Sequence, residues 1–72
     1  MYRTIRYWFK YGNEGDEIEC TFLEHKTFEK ALKYAERYAT GIRFAGVEIE
    51  DEEGNTLYEI TSSQEITDYR NV

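Results

Sequence analysis

The stretch TFEKALKYAERYATG, residues 27–41, decides the fold. Set out at about 100° per residue, Phe28, Ala31, Leu32, Ala35, Ala39 and, just beyond, Ile42 fall within an arc of roughly 100°, the width of a helix stripe that faces a core. Thr27 offers a hydroxyl to the first free N–H groups of a helix, and Gly41 suits the left-handed residue that often closes one. The spacing predicts one amphipathic helix between them.

On both sides of this stretch the period drops to 2, the repeat of a strand. Upstream, Ile5, Tyr7, Phe9 and Tyr11 alternate with Tyr2, Thr4, Arg6, Trp8 and Lys10. Gly12-Asn13-Glu14-Gly15-Asp16 is rich in residues that tolerate positive φ, so the chain reverses there. Ile18, Cys20 and Phe22 then alternate with Glu17, Glu19 and Thr21. Downstream, Val47 and Ile49 alternate with Glu48 and Glu50, residues 51–55 turn, and Leu57-Tyr58-Glu59-Ile60 returns.

The expected order is ββαββ, an α+β fold with one helix packed on one face of a four-stranded antiparallel sheet. A single domain spans residues 1–61. Residues 62–72 are polar. Ser62 and Glu65 match a capping box, so this segment reads as a short helix or as a tail. One helix covers one face. The phase expected here turns Ile5, Tyr7, Phe9, Ile18, Cys20 and Phe22 toward it. Tyr2, Thr4, Arg6, Trp8, Glu17, Glu19, Glu48, Glu50, Leu57 and Glu59 are left on the open face.

Composition bounds the function. In 72 residues, one Trp, seven Tyr and four Phe supply anchors for a core that acidic disordered chains lack. One cysteine excludes an internal disulfide framework. No apolar run approaches the length of a membrane span, and Met1-Tyr2-Arg3-Thr4-Ile5-Arg6 lacks the apolar region of a leader, so a cytoplasmic protein is expected. Catalysis is not expected. Cys20 and His25 stand alone, no base–nucleophile–orienter set can be assembled, and no glycine-rich loop opens a helix. Neither a cofactor nor a metal is implied, since the acids near Gly54 lack the alternating spacing of a calcium loop.

The net charge of −6 is distributed in blocks. Residues 1–10 are positive and residues 11–25 negative, residues 26–43 are positive again, and residues 44–72 carry eight acids against one base. Lys26, Lys30, Lys33 and Arg37 share the outer face of the helix. Glu48, Glu50, Asp51, Glu52 and Glu53 form the densest acidic set. They read either as a contact for a basic partner, in imitation of phosphates, or as a solvated turn that protects an edge. Trp8, Tyr2 and Arg6 are residue types that anchor interfaces. They read as a second contact patch or dimer face, unless Ile66 or Tyr69 folds back over them. Arg3, Arg6 and Lys10 interleaved with aromatics resemble single-strand binders, but a pI near 4.7 weighs against direct nucleic-acid binding.

A proline-free, acidic ββαββ chain of this size resembles the small inhibitor proteins of phages and mobile elements, anti-CRISPR proteins among them. That resemblance covers residues 2–61 as an architecture. It implies a non-enzymatic protein that binds a nucleic-acid-handling machine at a cationic groove, with Glu48, Glu50, Asp51, Glu52 and Glu53 in the place of phosphates. The basic helix is not part of that pattern. The expected function is therefore a module that occupies a partner's basic surface. The alternatives are a small homodimeric protein whose acidic hairpin meets its own basic helix, and a single-strand binder acting through the first strand and helix.

Overall fold

The protein is described by a computed structural model that covers residues 1–12, 15 and 17–71. The elements are β1 (Tyr2–Phe9), β2 (Ile18–His25), α1 (Phe28–Tyr38), β3 (Phe44–Glu50), β4 (Thr56–Thr61) and β5 (Ile66–Asp68), followed by one 3-10 turn, Tyr69–Asn71. The strands form a single antiparallel sheet in the order β2-β1-β3-β4-β5. The first reversal lies partly outside the described residues, which exclude 13, 14 and 16. At its base Arg43 donates to the Phe9 and Lys10 carbonyls.

The helix forms where its spacing predicts. The Thr27 hydroxyl accepts the Lys30 N–H at 3.2 Å, and Ala31, Ala35 and Ala39 are buried. Ile42 departs from the stripe. The helix stops at Tyr38, so Ile42 lies past its last turn and is 88% exposed. The alanines pack on Phe44, Val47, Ile49, Tyr58 and Ile60, with Tyr2, Phe28 and Leu32 at the margin. Ile49 is fully buried, and truncating such a residue to alanine costs about 2–5 kcal/mol, comparable to the whole stability of a small domain.

Two expectations are corrected. The sheet has five strands, not four, because Ile66–Asp68 pairs with β4, Ile66 opposite Ile60. Ser62 and Glu65 do not cap a helix. They belong to a hairpin loop that repeats the geometry of the preceding one. In the β3–β4 loop the Asp51 N–H meets the Asn55 carbonyl at 3.0 Å, and the Gly54 N–H meets the Asp51 carbonyl at 3.1 Å. In the β4–β5 loop Thr61, Glu65 and Gln64 repeat both bonds at 2.9 Å. In each loop the first side chain accepts the fifth residue's N–H, and the fourth residue has positive φ, 86° at Gly54 and 69° at Gln64.

The second correction concerns phase. Opposed residues of antiparallel strands share a face, and Thr4 lies opposite Ile49 and Arg6 opposite Val47. Val47 and Ile49 point toward the helix, as expected, so Tyr2, Thr4, Arg6 and Trp8 lie under the helix rather than on the open face. A slip of one residue exchanges the faces of a whole strand. Glu19, opposite Trp8, turns to the helix side as well. Thr4 is tolerated there because its hydroxyl reaches the Leu23 carbonyl at 3.3 Å and His25 Nε2 at 3.0 Å. Arg6 is tolerated because its guanidinium lies over the Trp8 and Tyr38 rings, 5.7 and 5.3 Å from their centroids. Leu57 is the extra residue of a bulge opposite Ile49 and Glu50. Among the described residues no helix is long and apolar enough to cross a membrane.

Candidate binding site on the open sheet face

With the helix on the other side, the open face is built in rows across the register. Phe9 stands beside Ile18. Tyr7 is flanked by Cys20 and Gly46, and Thr61 follows Gly46. The next row runs Phe22, Ile5, Glu48, Glu59, Thr67, and the last runs Glu24, Arg3, Glu50. The β1–β2 half is therefore apolar and the β3–β4 half acidic. Ile18 and Phe22 are 58% and 60% exposed. Because Gly46 has no side chain, a depression of about 320 Å³ opens where Tyr7, Glu48, Glu59 and Thr61 converge.

At the centre of the acidic half Glu48 lies directly opposite Glu59. Like charges so placed are destabilising. Among the described residues neither carboxylate has a cation within ion-pair distance. They are held instead by hydroxyls. Tyr7 donates to Glu48 at 2.5 Å, Thr56 to Glu48 at 3.5 Å, and Tyr69 to Glu59 at 2.7 Å. The bond to Glu48, reinforced by burial, pushes the Tyr7 phenol up to about 12. The bond to Glu59 likewise raises Tyr69. Hydroxyls orient a carboxylate but supply no counter-charge.

The five acids expected to meet a partner are divided among different tasks. Asp51 faces its own turn, accepting the Glu53 and Asn55 N–H groups at 2.9 Å and the Asn55 side chain at 3.2 Å. The Asn55 bonds hold its carboxyl below the ordinary range. Glu50 pairs with Arg3 at 3.3 Å, and Glu52 with the Met1 amino group. Glu48 joins Glu59 on the sheet, and Glu53 makes no ion pair among the described residues. Glu59 was expected on the open face but not singled out as a contact. The expected acidic set is thus divided between the sheet, with Glu48 and Glu50, and the turn, with Asp51, Glu52 and Glu53.

Tyr2, Arg6 and Trp8, expected as an exposed patch, are half-buried on the helix side. Tyr2 packs edge-on to Phe28 at 5.8 Å, and the Arg6 Nε is buried with no hydrogen-bond partner among the described residues. Cys20, expected inside, is exposed on the open face. His25 ends β2 instead of standing in a loop, its ring 5.2 Å from that of Tyr34, and burial lowers its pKa. On the outer face of the helix Lys30, Lys33 and Arg37 are exposed, as is Lys26 just before it, and none has a carboxylate partner among the described residues. The basic residues of the helix therefore lie across the sheet from Glu48 and Glu59, although Arg3 shares the open face and Glu19 the helix side. No group of three His, Cys, Asp or Glu among the described residues is placed to hold a metal.

No protein-family model, curated protein or solved structure matches this chain.

Proposed function

We propose that the chain is a non-enzymatic binding module whose working surface is the open sheet face, and that its partner is a protein with a basic surface. The observation that carries this reading is the opposed pair Glu48 and Glu59, held without a cation among the described residues on the same sheet face as the exposed apolar residues Ile18 and Phe22. A lysine or arginine of the partner entering the Gly46 depression would supply the missing counter-charge. Apolar groups next to it would cover Phe22 and Tyr7. Such pairing speeds encounter and selects the partner more than it adds raw affinity.

The resemblance to phage and mobile-element inhibitors suggests the kind of partner, a nucleic-acid-handling protein whose cationic groove is occupied and so blocked. A cytoplasmic setting, where the exposed Cys20 stays a free thiol, fits that reading. Single-strand binding has less support, because the first-strand aromatics Tyr2 and Trp8 are half-buried beneath the helix.

The test is binding to an arginine-rich peptide with alternating apolar residues, measured at low and high salt. Reversing both charges (Glu48→Lys with Glu59→Lys) should slow association about tenfold at low salt, with the difference shrinking as salt rises. Lys30→Glu with Lys33→Glu should not slow it. Equal rates for the wild type and the sheet variant would overturn the assignment.

A further inference from the structure

The two edges of the sheet are unequal. β5 is three residues long and runs straight into the Tyr69–Asn71 turn, where Arg70 clamps Asp68 through its backbone N–H at 3.0 Å and its guanidinium at 2.9 Å. β2, at the other edge, is eight residues long, and its first seven residues are exposed. Natural sheets shorten, charge or cover such an edge. This one carries Glu19 and Glu24, yet it also presents Ile18, Cys20 and Phe22 on one side and Leu23, 45% exposed, on the other.

The backbone of β2 is oriented for pairing. In an antiparallel ladder, hydrogen-bonded and non-bonded residue pairs alternate. Lys10 N–H bonds the Glu17 carbonyl at 2.9 Å, which fixes the phase. Residues 17, 19, 21, 23 and 25 point their N–H and C=O groups at β1. Those of Ile18, Cys20, Phe22 and Glu24 point away from the sheet and take no backbone partner among the described residues.

The charge order along β2 identifies the occupant. Glu17 and Glu19 lie at its start, whereas at its end Glu24 is offset by Lys26. Parallel pairing with a second copy would set each acid against itself, whereas antiparallel pairing sets Glu17 and Glu19 toward the end where Lys26 offsets Glu24.

We infer that β2 pairs antiparallel with β2 of a second copy about a two-fold axis through Thr21, joining two five-stranded sheets into one of ten strands. In this register Cys20 faces Phe22, Ile18 faces Glu24, Glu19 faces Leu23 and Glu17 faces His25, so no carboxylate opposes another. The odd total of each outward-pointing residue with an inward-pointing one would misalign the bonds. Here Cys20 with Phe22 and Ile18 with Glu24 are outward-pointing on both strands, as the ladder requires. The contact is isologous. It keeps both open faces on the same side, with the apolar strips adjoining at the centre and a Glu48–Glu59 pair on each flank. This inference does not depend on the basic-partner reading and is tested without any partner.

The experiment uses the full chain. Light scattering across a concentration series should show a species of twice 8.6 kDa, and Phe22→Lys, checked for native circular dichroism, should remain monomeric. Register is read by oxidation in a Cys20→Ser background. Thr21→Cys opposes itself in a non-bonded pair, about 4.5 Å between Cα atoms, and should form a covalent dimer. Glu19→Cys, which opposes Leu23, should not. A wild type that stays monomeric at the highest soluble concentration would overturn the proposal, as would cross-linking at residue 19 equal to that at residue 21. A dimer unaffected by Phe22→Lys would likewise place the interface elsewhere.

Discussion

The Gln64 side-chain amide donates to the Ala39 carbonyl at 3.0 Å, tying the loop between the last two strands to the end of the helix. Gln64 occupies the positive-φ position that Gly54 fills in the preceding hairpin. A residue with a Cβ is disfavoured there by roughly 1 kcal/mol relative to glycine. The bond to Ala39 offsets that cost, since a net hydrogen bond contributes about 0.5–1.5 kcal/mol.

Gln64→Gly relieves the backbone and loses the bond, so its stability should stay within about 0.5 kcal/mol of the wild type. Gln64→Ala keeps the strained φ and loses the bond, and should be less stable by about 1 kcal/mol. Urea midpoints of the three proteins give the ranking. If Gln64→Ala matches the wild type, the amide contact contributes nothing.

The Tyr7–Glu48 bond makes an alkaline prediction. Tyr7 is raised from 10.0 to about 12, so the folded state favours the neutral phenol. The associated stability is complete below the unfolded pKa and is lost as pH rises from about 10 toward about 12. Absorbance titration of phenolate should show one fewer late-ionising tyrosine in Glu48→Gln than in the wild type. Identical curves would mean that the bond does not set the Tyr7 pKa.

His25 makes the acid counterpart. Burial lowers its pKa from 6.5, so the folded state favours the neutral ring. Stability should fall as pH drops below about 6.5, where the unfolded chain takes up a proton more readily. His25→Gln retains a donor toward Thr4 and cannot titrate. Denaturation midpoints between about pH 7 and pH 5 should be flatter for this variant. Parallel curves would assign the acid sensitivity to other groups.

The acids of the β3–β4 loop should separate by role. Asp51→Ala removes the acceptor of three bonds and should lower the melting temperature. Glu53→Gln should leave it unchanged, because Glu53 has no ion pair among the described residues to lose. Equal losses from the two variants would mean that the loop depends on its charge and not on the Asp51 bonds.

Period was legible in the sequence from β1 to β4, and so was the phase of the helix and β3, but the phase of β1 and β2 was not. The stripe from Phe28 to Ala39, the Thr27 cap and the alternation of β1 to β4 all follow from local chemistry. The covered side of β1 does not, because both of its alternating sets contain aromatics. Ile5, Tyr7 and Phe9 read as the more apolar set, yet Tyr2, Thr4, Arg6 and Trp8 go under the helix. What decides is the pairing of Thr4 with Ile49 and the partners that make Thr4 and Arg6 tolerable inside, which no single strand reveals. β5 was hidden for another reason: three residues are too few to display a period. The acidic character of the open face was legible in Glu48, Glu50 and Glu59. Its apolar neighbours were not, since the same slip sent Ile18, Cys20 and Phe22 to the wrong side.

The brevity of β5 bears on how far assembly can proceed. A filament of stacked sheets needs two receptive ends on every subunit, one to join and one to be joined. Here β5 is three residues long and the Tyr69–Asn71 turn follows at once, so among the described residues β2 is the long unpaired edge, and a two-fold union consumes it in both chains. Growth would then terminate after a single step, with the edge of β2 used up before fibrils could be seeded.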